Sequence, residues 1–301
     1  MRVAGLAWGL TAALAWAIYN VGAKVGAAQG FRPEDLTLLR FLGAGVLMLP
    51  VLLRSGPWCM AGIGWPRALA LTATIGPLFG MMVNSGFVRA PLAHGVVLGP
   101  TGTMVSATLL AWWLERERPT PAQAAGMALL FLGLVAIAYD GLGHGPASGG
   151  VYLGDLAFLA AGTLWGLFTY LLRRWRIDAL RGTAAVSVLS LLAFAPGYLV
   201  AADLPAVAAS SLLVQLVCQG ALGGCLAVVA YSAAVAHLGA GRAALFTALV
   251  PALAVLLAIP VLGQLPGVLQ LAGVASCSLG LVTALGILSP RRRPAAGGES
   301  G

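Results

Sequence analysis

Inside stretches that are otherwise apolar, the chain carries a small set of aromatic, amide and hydroxyl side chains. Trp16, Tyr19 and Asn20 form one group, Trp165 and Thr169 another, with Asn84, Thr101 and Tyr231 between and beyond them. Ring faces, amides and hydroxyls hold a small solute by stacking and hydrogen bonding, the way ligand pockets do. Trp16 and Trp165 occupy equivalent places in a duplicated sequence, and two large rings at matched depth suit opposite walls of a cavity. Asn84 and Tyr231 answer each other at an offset of 147 residues. For Thr101 and the other threonines, a bond to their own helix backbone is the simpler reading.

Lys24 and Arg40 add positive charge to the same regions. A charge within a membrane is costly and usually functional, so either cation is a candidate contact or gate for an anionic substrate group. The alternative is snorkelling, with an ion pair to Glu34 or Asp35, which lie close to Arg40 in sequence. Bond-making chemistry has no comparable set of residues. Of the three histidines, His94 and His237 are expected on opposite sides, and the HExxH, GxSxG and GxxxxGK[ST] patterns are missing from the sequence. No Asp or Glu falls in the middle of an expected helix, and Asp140 and Asp155 read as boundary residues. Proton coupling is therefore open. An intramembrane enzyme for a lipid-like substrate and a non-transporting membrane subunit are the alternatives. The first lacks clustered acids, bases or ligands, and the second lacks a docking domain.

The elements that must position these residues are apolar helices. Hydrophobic residues make up 60% of the chain and charged residues 9%, against about 25% charged in an ordinary soluble domain. Charges, prolines and glycines divide it into ten expected helices, with cores at 4–23, 36–53, 68–88, 94–114, 121–139, 152–172, 183–201, 210–234, 241–262 and 267–288. Gly5, Ala12 and Trp16 recur as Gly154, Ala161 and Trp165 at an offset of 149. Pro119, Gln123, Gly126 and Leu132-Gly133-Leu134-Val135 recur as Pro266, Gln270, Gly273 and Leu279-Gly280-Leu281-Val282 at an offset of 147. The chain divides into a first repeat over 1–140, a periplasmic connection over 141–151, a second repeat over 152–288 and a disordered cytoplasmic tail over 289–301. The first helix reads as retained, because it lacks a small-residue cleavage site. Thirteen Lys and Arg residues fall on one side of the expected spans and four on the other, which puts both termini in the cytoplasm. Five spans per copy then invert the second copy relative to the first, as in alternating-access carriers. The four cysteines have no metal-ligand spacing and read as packing residues. Basic residues cluster at segment ends, so the formal charge of +8 does not point to nucleic acid.

Two sets of motifs resemble the EamA-like branch of the drug/metabolite transporter superfamily. Ala13-Leu14-Ala15-Trp16-Ala17, Lys24, Pro33 and Arg40-Phe41 are similar to the opening of its repeat unit. Leu114-Glu115-Arg116-Glu117 with Pro119, Gln123, Gly126 and Gly133 is similar to its ending, and Trp165-Gly166 with Leu262-Gly263-Gln264 onward supplies the second copy. The resemblance implies an all-α integral membrane fold, ten helices in two inverted five-helix repeats around a central cavity. It also implies transport of amino acids, other metabolites or drugs, commonly outward, across the bacterial inner membrane. Gln264 in place of a second Glu117, and the lack of an Arg40 counterpart in the seventh helix, depart from a symmetric pattern. The expected partners are a small-molecule substrate, the lipid bilayer and, as an option, a second copy in a homodimer. No cofactor, metal or nucleic acid is expected.

Overall fold

A computed structural model describes residues 2–142, 148–201, 206–263 and 265–284, and every regular element among them is helical. The first half contains α1 (Arg2–Ala28), α2 (Pro33–Arg54), α3 (Trp65–Ile75), α4 (Pro77–Arg89), α5 (Leu92–Glu115) and α6 (Pro121–Leu142). The second contains α7 (Ser148–Trp175), α8 (Ala179–Ala201), α9 (Ala209–Gln215), a π-helical stretch (Leu216–Leu226), α10 (Ala227–Leu238), α11 (Ala240–Leu262) and α12 (Val268–Ala284). Among the described residues, eight helical segments are long and apolar enough to cross a membrane. Trp65–Arg89 and Ala209–Leu238 each count as one of them, and two apolar helices, Pro121–Ile137 and Val268–Ala284, are shorter.

Local chemistry explains the starts and breaks. Pro33 opens α2 at the position where a missing N–H costs nothing. The Asp35 carboxylate accepts from the Arg32 backbone N–H at 2.8 Å, closing the helix N-terminus. The expected third helix is interrupted between α3 and α4. Pro77 disfavours helical geometry at the residue before it, and Gly76 sits at φ −80°, ψ −145°. Pro100 and Pro251 leave α5 and α11 continuous. The expected eighth helix has a widened π turn in its middle, where Gly220, Gly223 and Gly224 remove side-chain bulk against α1 and α2. The connection expected over 141–151 is shorter, because α6 runs to Leu142 and α7 starts at Ser148. Gln264, residues 285–288 and the tail over 289–301 lie outside the described residues.

Packing follows the duplication. α5 packs on α7, α4 on α7, α1 on α10 and α11, α2 on α8 and on the π stretch, α3 on α8, and α6 on α12. Exchanging the halves maps this set onto itself: α5 with α7 becomes α11 with α1, and α4 with α7 becomes α10 with α1. The α6–α12 contact is antiparallel. Gly126 faces Gly280 while Gly133 faces Gly273, and a Cβ at either first-half glycine would lie within 2.8 Å of the facing carbonyl oxygen. Such small residues let helix backbones approach closely in a membrane. Ser276 also donates across this contact to the Leu129 carbonyl at 2.6 Å.

The outside of the bundle is apolar. Leu47, Leu53, Leu109, Phe131, Leu156, Leu192, Leu199 and Leu256 are all exposed. An apolar exterior on this scale fits lipid as solvent, and the chain is a multi-span membrane protein. At one end of α5 and α7, Arg173 bridges Glu115 at 2.6 Å and Glu117 at 3.1 Å.

Candidate functional site

Helical periodicity on α1, α2 and α4 brings three of the expected site residues together. On α2, Thr37, Arg40, Phe41 and Ala44 share the inward stripe, and all are buried. Gly80 on α4 lets that stripe come close, since a Cβ there would lie 2.9 Å from Thr37 Cγ2. Across this contact the Asn84 amide Nδ2 donates to Thr37 Oγ1 at 3.0 Å. The Thr37 hydroxyl hydrogen is already donated to the Pro33 carbonyl at 2.7 Å. Thr37 is therefore an acceptor toward Asn84, which fixes the amide and turns its oxygen the other way. Asn84 Oδ1 is buried without a partner, as are Tyr19 Oη on α1 and Gln219 Oε1 on the π stretch.

Arg40, one turn after Thr37 on the same stripe, is buried beside Tyr19 with only 7% of its surface exposed. Its guanidinium carbon is 5.0 Å from the Tyr19 ring centroid and 5.6 Å from that of Phe79. The ion pair suggested by sequence proximity does not involve it: Glu34 and Asp35 are held by Arg32, at 3.4 and 2.9 Å. Tyr198 on α8 donates to the same Asp35 carboxylate at 2.6 Å. Hydrogen bonding to Asp35 raises the pKa of the Arg32 guanidinium. Among the described residues Arg40 has neither a carboxylate nor a hydrogen-bond acceptor. Each ring contact offers roughly 0.5–2 kcal/mol. An uncompensated buried ion costs several kcal/mol, so the rings alone fall short of balancing it.

Lys24 is placed differently. Its Nζ donates to the Phe87 and Ala90 carbonyls at 2.9 and 2.8 Å, at the C-terminus of α4. The N–H that would continue the helix ladder from Phe87 belongs to residue 91, a proline, which has none. Lys24 supplies the missing donor.

The two tryptophans stand at the boundary between halves. Trp16 on α1 packs against Tyr231 on α10 at 5.6 Å between centroids, and Trp165 on α7 packs against Phe79 on α4 at 5.4 Å. Phe79 thus touches both Arg40 and Trp165. Asn20, Thr101 and Thr169 donate within their own helices, to Trp16, Val97 and Trp165 carbonyls at 2.9, 2.7 and 2.9 Å. Tyr19 therefore meets Arg40 directly, Asn84 is tied to the same α2 stripe through Thr37, Phe79 joins Arg40 to Trp165, and Trp16 with Tyr231 form a second pair.

Thr37, Phe79 and Gln219 are the members that sequence reasoning passes over. Gln215 and Gln219, one helical turn apart in a run of Leu, Val and Cys, are the signal that the sequence does hold. Both are fully buried, and Gln215 Nε2 donates to the Gly22 carbonyl at 2.9 Å. Asp155 is not a free boundary carboxylate: it contacts Nδ1 of the fully buried His94 at 2.8 Å, tying α7 to α5. A groove of about 730 Å³ opens between α5 and α7, lined by Ser106, Trp112, Trp113, Arg116 and Thr163 among others, and none of the candidate residues lines it. Among the described residues no group of three or more His, Cys, Asp or Glu is placed to hold a metal ion.

The family model described as "EamA-like transporter family" matches residues 3–139 and again 152–286. The two matches coincide with the two sequence repeats. No curated protein matches the chain significantly. A solved structure, described as "Crystal structure of protein", aligns over 97% of this chain and 100% of its own, at 19% identity and a TM-score of 0.65. At that identity the likeness shows the fold alone.

Proposed function

The chain belongs to the EamA-like transporter family of the drug/metabolite transporter superfamily, and on that premise we propose that it is a secondary carrier working by alternating access. Ten membrane helices form two inverted repeats, both termini face the cytoplasm of a bacterial inner membrane, and a small metabolite, an amino acid or related compound, is exported. The solute sits between the halves, near Trp16 with Tyr231 and Trp165 with Phe79.

One observation carries this reading. The tryptophan of each half's first helix packs on an aromatic of the other half's third helical segment. Rocking one half against the other changes both contacts together, which is what a shared site at a repeat interface requires. The antiparallel α6–α12 contact supports the inversion, and its facing glycines suit helices that shift against each other.

The test is uptake by liposomes containing the purified protein, screened with labelled amino acids and nucleosides. At least one solute is expected to cross faster than into empty liposomes. Trp16→Ala and Trp165→Ala are each expected to slow it about two- to tenfold, the scale of a lost aromatic contact, with folded protein recovered at wild-type levels. No solute crossing faster than in empty liposomes would defeat the carrier. Equal loss of folded protein in both variants would make the tryptophans packing residues.

A further inference from the structure

We infer that Arg40 is the docking point for a single anionic group, a carboxylate or phosphonate, on a small solute whose donor groups meet Asn84 Oδ1 and Tyr19 Oη. Arg40 is seven residues beyond the first residue of α2, which puts its Cα about 10 Å along the helix axis. Its guanidinium is buried between two ring faces with no counter-charge among the described residues. The carboxylates nearest in sequence are occupied by Arg32, so no side chain of that cluster is left to neutralise it. A planar guanidinium presents paired donors that match a carboxylate's two oxygens. On the elements that meet at Arg40 the unpartnered atoms are acceptors, or a hydroxyl that can accept: Tyr19 Oη on the ring that Arg40 faces, Asn84 Oδ1 on the amide held by Thr37 one turn before Arg40 and, four residues before the glycine that abuts the Tyr19 ring, Gln219 Oε1.

That arrangement selects one negative charge on a molecule that also carries donors. A dianion would need a second cation, and the other candidate, Lys24, is engaged with the end of α4. A cation would meet the Arg40 charge directly. The site is one-sided: at the matching offset of 147 the second half has Ser187, a buried neutral residue of α8. This inference deepens the carrier reading and relies on it for the solute's route, while binding itself can be tested without transport.

The full protein in lipid-free detergent micelles is titrated, and thermal unfolding is followed. The titrants are 3-phenyllactate, whose hydroxyl is a donor, methylphosphonate at a mildly acidic pH where it carries one charge and one P–OH, and the uncharged 3-phenyllactamide. At least one of the two anions is expected to raise the unfolding temperature of the wild type while the amide does not. In Arg40→Gln that response is expected to weaken roughly 10- to 100-fold in concentration, and in Arg40→Lys to fall between the two. Asn84→Ala is expected to weaken it less. Without any anion, Arg40→Gln is expected to be at least as heat-stable as the wild type, because an uncompensated charge has been removed.

Several results would overturn the inference: no anion response in the wild type, an equal response in Arg40→Gln, or stabilisation by phosphatidylglycerol alone. If Arg40→Gln fails to fold, an Arg40→Lys protein that answers the anions and the amide alike overturns it as well. The two readings separate cleanly. Anion binding without uptake in liposomes leaves the Arg40 slot standing and removes the carrier. Uptake that is indifferent to Arg40→Gln keeps the carrier and removes the slot.

Discussion

Besides Arg2 and Arg54 at their outer ends, the first two helices carry Lys24 and Arg40, whose surroundings divide their roles. Lys24 completes the end of α4, where Pro91 leaves the Phe87 carbonyl without its usual donor. Lys24→Met is expected to lower stability by about 1–3 kcal/mol, the cost of leaving buried acceptors unsatisfied, read as a shift in unfolding by SDS titration. A Lys24→Met protein as stable as the wild type, with transport lost, would instead make Lys24 a solute contact. Arg40 has no such structural task. Both residues are legible in the sequence as cations in apolar company. Their partners are not, because Glu34 and Asp35 are near Arg32 and Arg40 alike. The N-terminal geometry of α2 decides it: Asp35 sits three residues after Arg32, within reach of its backbone N–H and side chain. Asp155 escapes a sequence reading for a similar reason. Its partner His94 is 61 positions away, and no local pattern announces that meeting.

The Gly76-Pro77 break and the start of α2 can be read from proline chemistry, which acts on adjacent residues. The π-helical stretch cannot. It packs on α1 and α2, and contacts of that range leave no periodic trace. A π segment of eleven residues is long for a form that usually appears as a single turn, often at functional sites. Gly223 is where its shape matters most: a Cβ there would stand 2.6 Å from Cγ of Tyr19, the ring that also faces Arg40. Gly223→Val is expected to push α1 off the π stretch, costing about 1–3 kcal/mol of stability by overpacking and disturbing the Arg40 group. Gly197, where an added Cβ would meet nothing within 4 Å, is the control: Gly197→Ala is expected to leave the unfolding temperature unchanged or raised. Thermal denaturation in detergent compares the two. A Gly223→Val protein as stable as Gly197→Ala would mean that the close approach of α1 carries no weight.

Across the whole molecule the duplication is the clearest sequence signal, and it survives as packing. The exchange-symmetric helix contacts and the antiparallel α6–α12 pair follow the same two repeats that the family match covers. What the repeat does not convey is where the halves differ. At the offset of 147, Arg40, Asn84, Gln215 and Gln219 correspond to Ser187, Tyr231, Ala68 and Thr72, so the polar chemistry is asymmetric within a symmetric frame. Two halves that close alternately around a solute make one prediction that a pore does not. Solute on the far side lets the carrier return loaded, which replaces the slower return of the empty site. Liposomes containing the protein are loaded with an unlabelled solute that the uptake screen identifies, and the initial entry of its labelled form is followed with no net gradient. Labelled uptake is expected to be faster into loaded than into unloaded liposomes, with the acceleration lost in Trp165→Ala. Uptake that is the same whether or not the far side is loaded would contradict alternating closure.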